Sequence, residues 1–79
     1  MTDPTAPEIL ARLGTLPLRE QLVTLHAVMI AIPALQRSYP LKARMAAIRS
    51  VLRLTETELA DILKDAARRS ARLKEELAG

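Results

Sequence analysis

The chain has no Phe, no Trp and no Cys, and its one aromatic residue is Tyr39, so any core must be assembled from Leu, Ile, Val, Met and Ala. Side chains of this kind suit close packing between helices. No stretch alternates apolar and polar residues around β-branched side chains, so the pattern of a half-buried strand is missing. The lack of aromatic rings also argues against single-strand nucleic-acid modules, which stack bases on such rings. The missing cysteines exclude disulfides, thiolate nucleophiles and cysteine-ligated zinc, and fit a reducing compartment.

Proline, glycine and capping residues divide the sequence into four helical segments. Thr5-Ala6-Pro7-Glu8 has the form of a capping box and opens a helix over 5–13, which Gly14 closes. A longer helix over 16–36 tolerates Pro17 in its first turn, whereas Pro33 should kink it or end it early. Ser38-Tyr39-Pro40 starts a third helix over 39–53. Thr55-Glu56-Thr57-Glu58 supplies a second capping box for a fourth over 56–77, with Leu54 and Leu59 placed as a hydrophobic staple. The connections are short, so neighbouring helices must fold back on one another or cross steeply. The expected fold is all-α, a small bundle of about four helices forming one domain over 5–79, behind residues 1–4 as a flexible N-terminus.

The second helix carries apolar residues on two sides. Leu18, Leu22, Leu25, Met29 and Ile32 share one face, and Val23, Ala27, Ile30 and Ala34 lie nearly opposite. A chain this short buries only about 60 to 65% of its unfolded surface, and three other helices offer little cover for the second face. A homodimer joined through Val23, Ala27, Ile30 and Ala34 is the economical expectation. A groove that accepts a partner's amphipathic helix would use the same residues.

Charge is unevenly distributed. Residues 37–53 hold Arg37, Lys42, Arg44, Arg49 and Arg53 with no carboxylate, whereas 1–36 and 54–79 each carry a net charge of minus one, which leaves +3 overall. At about 100° per residue, Leu41, Met45, Ile48 and Leu52 form the inward stripe of the third helix, and Lys42, Arg49 and Arg53 gather on one flank. That row is about 16 Å long and could follow a phosphodiester backbone; Arg44 falls on the other flank. The same long side chains could instead only cover the edges of the apolar stripe with their stems. In the fourth helix Leu59, Ile62, Leu63, Ala66, Ser70, Leu73 and Leu77 form a stripe. On its back, Asp65 with Arg69, Asp61 with Lys64 and Arg72 with Glu76 have ion-pair spacing. Arg68, Arg69 and Arg72 would enlarge the basic surface if this helix packs beside the third.

The stretch Ile48-Arg49-Ser50-Val51-Leu52-Arg53-Leu54-Thr55-Glu56-Thr57-Glu58-Leu59-Ala60-Asp61-Ile62-Leu63 resembles the first two helices of a phage-repressor type helix-turn-helix domain, in which a Leu-Thr start leads to a Leu-Ala pair. In that family a Gly-hydrophobe-Ser turn follows and opens a recognition helix. Here Lys64-Asp65-Ala66-Ala67 continues instead, so the resemblance implies no base-reading residues.

Catalysis lacks a constellation. The single histidine, His26, has no second His or Cys for chelation and no carboxylate near it in sequence except Glu20, which leaves it a structural or solvated imidazole. Glu56, Glu58 and Asp61 crowd a helix start, where the macrodipole already favours them. No glycine-rich phosphate loop is present, and no cofactor or metal is expected. The longest uncharged apolar run, Ala27 to Leu35, is too short for the roughly 20 residues of a membrane span. The start Met1-Thr2-Asp3-Pro4 does not read as a secretion signal, so a cytoplasmic location is expected.

Two functions remain. One is a small non-enzymatic regulator or phage-type factor that binds nucleic acid through Lys42, Arg44, Arg49, Arg53, Arg68, Arg69 and Arg72. The other is a protein-binding adaptor or inhibitor working through the apolar surface of the second helix. Segregated charge is harder to obtain from packing needs than an apolar surplus is, and this favours nucleic acid.

Overall fold

A computed structural model describes residues 5–78, and among them every regular element is helical: α1 (Ala6–Leu13), α2 (Leu18–Ala31), a 3-10 segment (Pro33–Arg37), α3 (Tyr39–Leu52) and α4 (Glu56–Ala78). The all-α bundle expected from the sequence is the fold observed. The flexibility expected of residues 1–4 lies outside the described residues.

The ends of the helices follow from local chemistry, not always as anticipated. The capping box at Thr55 forms in full: Glu58 N–H donates to Thr55 Oγ1 at 3.2 Å, and Glu58 Oε1 accepts from the Thr55 N–H at 3.2 Å. At Thr5 no side-chain cap is made, and only its carbonyl is used, by Ile9 N–H at 3.1 Å. Gly14 closes α1 in right-handed geometry (φ −52°), so it acts as a turn residue without needing left-handed freedom.

The second helix is shorter than the 16–36 anticipated. Pro33 lacks an N–H and crowds the residue before it out of helical geometry. Ile32 accordingly sits at φ −125°, ψ 86°, and the chain continues as the 3-10 segment.

α2 is the centre of the molecule. Its principal contact is with α4, followed by α3 and the 3-10 segment. The α2–α4 contacts advance in step: Arg19 meets Asp65, Glu20 meets Arg69, Thr24 and Ala27 share a groove with Arg72 and Leu73, and Ile32 shares one with Leu77. The two helices therefore run in the same direction, with α3 as the return path on another side of α2.

Their seam is built from modest side chains. Val23 and Ala27 of α2 are 0% and 1% exposed, and Ile62, Ala66 and Ser70 of α4 are buried at i, i+4, i+8 spacing. Ser70 satisfies its hydroxyl by donating to the Ala67 carbonyl at 2.7 Å. Leu13, Leu22, Leu25 and Leu41 complete the core from α1, α2 and α3. The middle of each apolar face of α2 is thus covered within one chain, by Leu22 and Leu25 on one side and Val23 and Ala27 on the other. Val23 and Ala27, expected at an interface between copies, belong to the α2–α4 seam. Ala34 is exposed beyond the end of α2, and Ile30 retains 37% exposure.

α4 runs unbroken through the position where the helix-turn-helix resemblance would place its next turn. The likeness of Ile48–Leu63 therefore extends to a capped helix-to-helix connection and not to a following recognition helix. No helix among the described residues is long and apolar enough to cross a membrane.

Candidate functional site

α3 buries Leu41 and Ile48 and half-buries Met45 and Leu52, the inward stripe read from the sequence. With that stripe turned to the core, helical geometry sets Lys42 and Arg49 on one flank, Arg53 follows at the cap of the helix, and all three are exposed. None is ion-paired among the described residues, where the pairs formed are Arg19–Glu20, Arg19–Asp65 and Arg69–Glu20. Arg53 ends the row in left-handed geometry, at φ 48° and ψ 55°, the one non-glycine residue of positive φ among those described.

The other anticipated cations are placed differently. Arg44 donates to Gln21 Oε1 at 3.0 Å, and the Gln21 side chain, 4% exposed, donates in turn to the Leu16 carbonyl at 2.8 Å. This chain of bonds ties α3 to the start of α2 and leaves no buried amide unsatisfied, which gives Arg44 a structural task. Arg69 reaches Glu20 at 2.7 Å, and Asp65 turns to Arg19 at 3.5 Å. The Asp65–Arg69 pair expected along α4 is therefore replaced by links between helices. Arg68 and Arg72 are exposed but stand on a helix that packs against α2, not beside α3, so the two basic groups are not joined into one surface.

Beside the α3 row lies a cleft of about 430 Å³ between α2, the 3-10 segment and α3, lined by His26, Met29, Ile30, Gln36, Lys42 and Met45. His26 is half-buried, and its Nε2 is closed off from solvent with no hydrogen-bond partner among the described residues. Burial, and then the positive charge of Arg49, holds its pKa below the ordinary value of 6.5. Sequence reasoning left this imidazole without a role because its neighbours come from α3, more than a dozen residues further along. No local signal could have announced the meeting.

Tyr39, 79% exposed, stands at the start of α3 one turn before Lys42. Among the described residues no cluster of His, Cys, Asp or Glu has the arrangement to hold a metal ion. Comparison with protein-family models, with curated proteins and with solved structures finds no significant match.

Proposed function

We propose that this chain is a small non-enzymatic protein that binds nucleic acid through the exposed flank of α3, with Lys42, Arg49 and Arg53 contacting backbone phosphates. The supporting observation is that these three cations, two on α3 and one at its cap, have no ion-pair partner among the described residues, and that the helix carries no carboxylate. Unpaired cations in a row suit phosphate contact because they bring no competing anion and release counterions on binding. Arg44 and Arg69, engaged in holding helices together, are secondary in this reading, and Arg68 and Arg72 are a separate group. The absence of any exposed aromatic surface beyond Tyr39 favours duplex over single strands.

Three phosphate contacts imply that affinity for a mixed-sequence duplex falls about 40-fold between 50 and 200 mM salt. Replacing Lys42, Arg49 and Arg53 together by Glu should abolish the retardation of that duplex in a native gel at 50 mM salt. The circular dichroism spectrum should stay that of the parent, because all three side chains are exposed. Unchanged retardation by the folded triple variant would overturn the assignment of this face.

The adaptor reading is disfavoured by burial of Val23 and Ala27 in the α2–α4 seam, which removes half of the surface it relied on.

A further inference from the structure

The cleft that Lys42 shares with His26 is shaped by three elements, and the one formal charge on its wall is positive. α3 contributes Lys42 to its wall and sets Arg49 near the imidazole, the 3-10 segment contributes uncharged Gln36, and α2 contributes His26 between Met29 and Ile30. No carboxylate of the described residues lines it. The single histidine of the sequence therefore lines the same cleft as Lys42 and lies within reach of the charge of Arg49, with one ring nitrogen unpartnered among the described residues. The neutral imidazole suits the free protein, since a third positive charge beside Arg49 and Lys42 would be repelled and poorly hydrated.

We infer that the cleft is a phosphate seat: a backbone phosphate held by Lys42 and Arg49 draws a proton from solvent onto His26, so that the imidazolium adds a third positive charge to the site. The proposal rests on the nucleic-acid reading and deepens it by naming where one phosphate lies. The proton goes to the ring nitrogen that is unprotonated in the neutral tautomer, and no covalent bond changes. The anion cancels the repulsion that kept the ring neutral, and at close range it does so without needing a direct hydrogen bond.

Linkage then fixes the signs. A bound phosphate raises the folded-state value of His26, and protonation of His26 must strengthen phosphate binding by the same factor. In the free chain the sense is opposite: a folded value below 6.5 means that stability is full above 6.5 and is lost as pH falls through the folded value. The chain has one His and no Cys. Apart from the α-amino group near pH 8, no other group ordinarily titrates between pH 5.5 and 7.5.

The test follows the imidazole directly. The full chain, labelled with isotopic histidine, is titrated by NMR from pH 5 to 8 at 50 mM salt, alone and with a saturating mixed-sequence 20-base-pair duplex. The His26 midpoint is expected to rise by about one pH unit with duplex, and affinity from rhodamine anisotropy to be about fivefold higher at pH 5.5 than at 7.5. His26→Gln should bind with no such pH dependence.

Duplex binding with an unmoved His26 midpoint overturns the seat and leaves the α3 assignment standing. No duplex binding at either pH overturns both. Parallel arms use 10 mM inorganic phosphate and polyglutamate. A midpoint moved by free phosphate but not by duplex overturns the seat for a nucleic-acid backbone and assigns the cleft to the free anion. A midpoint moved by polyglutamate alone points to an acidic protein and overturns the proposal.

Discussion

At the scale of single residues, Arg53 is where local preference and placement disagree. An L-residue in left-handed geometry costs roughly 1–2 kcal/mol, and glycine is the usual occupant of such a helix end. Arg53 adopts it at φ 48°, with its N–H still donating to the Arg49 carbonyl at 3.1 Å, and ends α3 with an exposed guanidinium. Two effects of opposite sign can be separated by one substitution. Arg53→Gly should raise thermal stability by about 0.5–1 kcal/mol, the relief of backbone strain less the extra entropy of an unfolded glycine. It should also weaken duplex binding and lower the salt slope by about one. Calorimetry and anisotropy on the same sample check both, and a variant that is more stable yet binds as before would take Arg53 out of the contact set. Arg44 shows the converse: its charge was legible in the sequence, but the Gln21 amide that occupies it was not, because that partner is 23 residues away and arrives only with the fold.

At the scale of elements, the α2–α4 seam explains why the sequence read as a dimer. Helical periodicity shows that Val23 and Ala27 are apolar and opposite Leu22 and Leu25, but it is silent on which helix covers them. The cover is a parallel α4, reached because α3 carries the chain back along α2. In α4 the buried stripe of Ile62, Ala66 and Ser70 is small enough to approach α2 closely. Val23→Asp would bury an unpaired carboxylate and should lower stability by at least about 3 kcal/mol, or unfold the chain outright. Ile30→Asp, at a 37% exposed position, should keep the fold and its transition midpoint within a few degrees. Urea unfolding of the two variants distinguishes a seam inside one chain from a face between copies, since the latter would make the two substitutions equivalent.

The helices themselves were legible because capping and proline chemistry is local: Thr55, Glu58 and Pro33 act within four residues of themselves. The α3 flank was legible for the same reason, as the inward stripe of Leu41, Met45, Ile48 and Leu52 dictates where Lys42, Arg49 and Arg53 must stand. The Arg69–Glu20 pair and the proximity of His26 to Lys42 and Arg49 depended on which helices become neighbours. Spacing along one helix carries no information about that.

At the scale of the whole molecule, burial and charge together set the state in solution. The radius of gyration, 12.1 Å, is close to the roughly 11.6 Å of a compact domain of this length. What remains apolar at the surface is distributed: Leu16 and Leu18 at the start of α2, Ile30 at its end, Tyr39 and Val51 at opposite ends of α3, Leu63 and Leu77 on α4. Stable dimers usually bury a contiguous patch of some 800 Å² on each partner, and the exposed large apolar residues come singly from separate positions along the chain. Light scattering at tens of micromolar should therefore return the 8.7 kDa of one chain at both 50 and 500 mM salt. Salt distinguishes the alternatives, because apolar association strengthens or holds at high salt, whereas phosphate contact through α3 weakens. Twice that mass at both salt concentrations would mean that the exposed residues pair after all, and it would turn the search for the dimer face from Val23 and Ala27 toward Ile30, Val51 and Leu63. A single-chain mass that rises only when duplex is added, and falls back at 500 mM salt, is the outcome that the unpaired row on α3 demands.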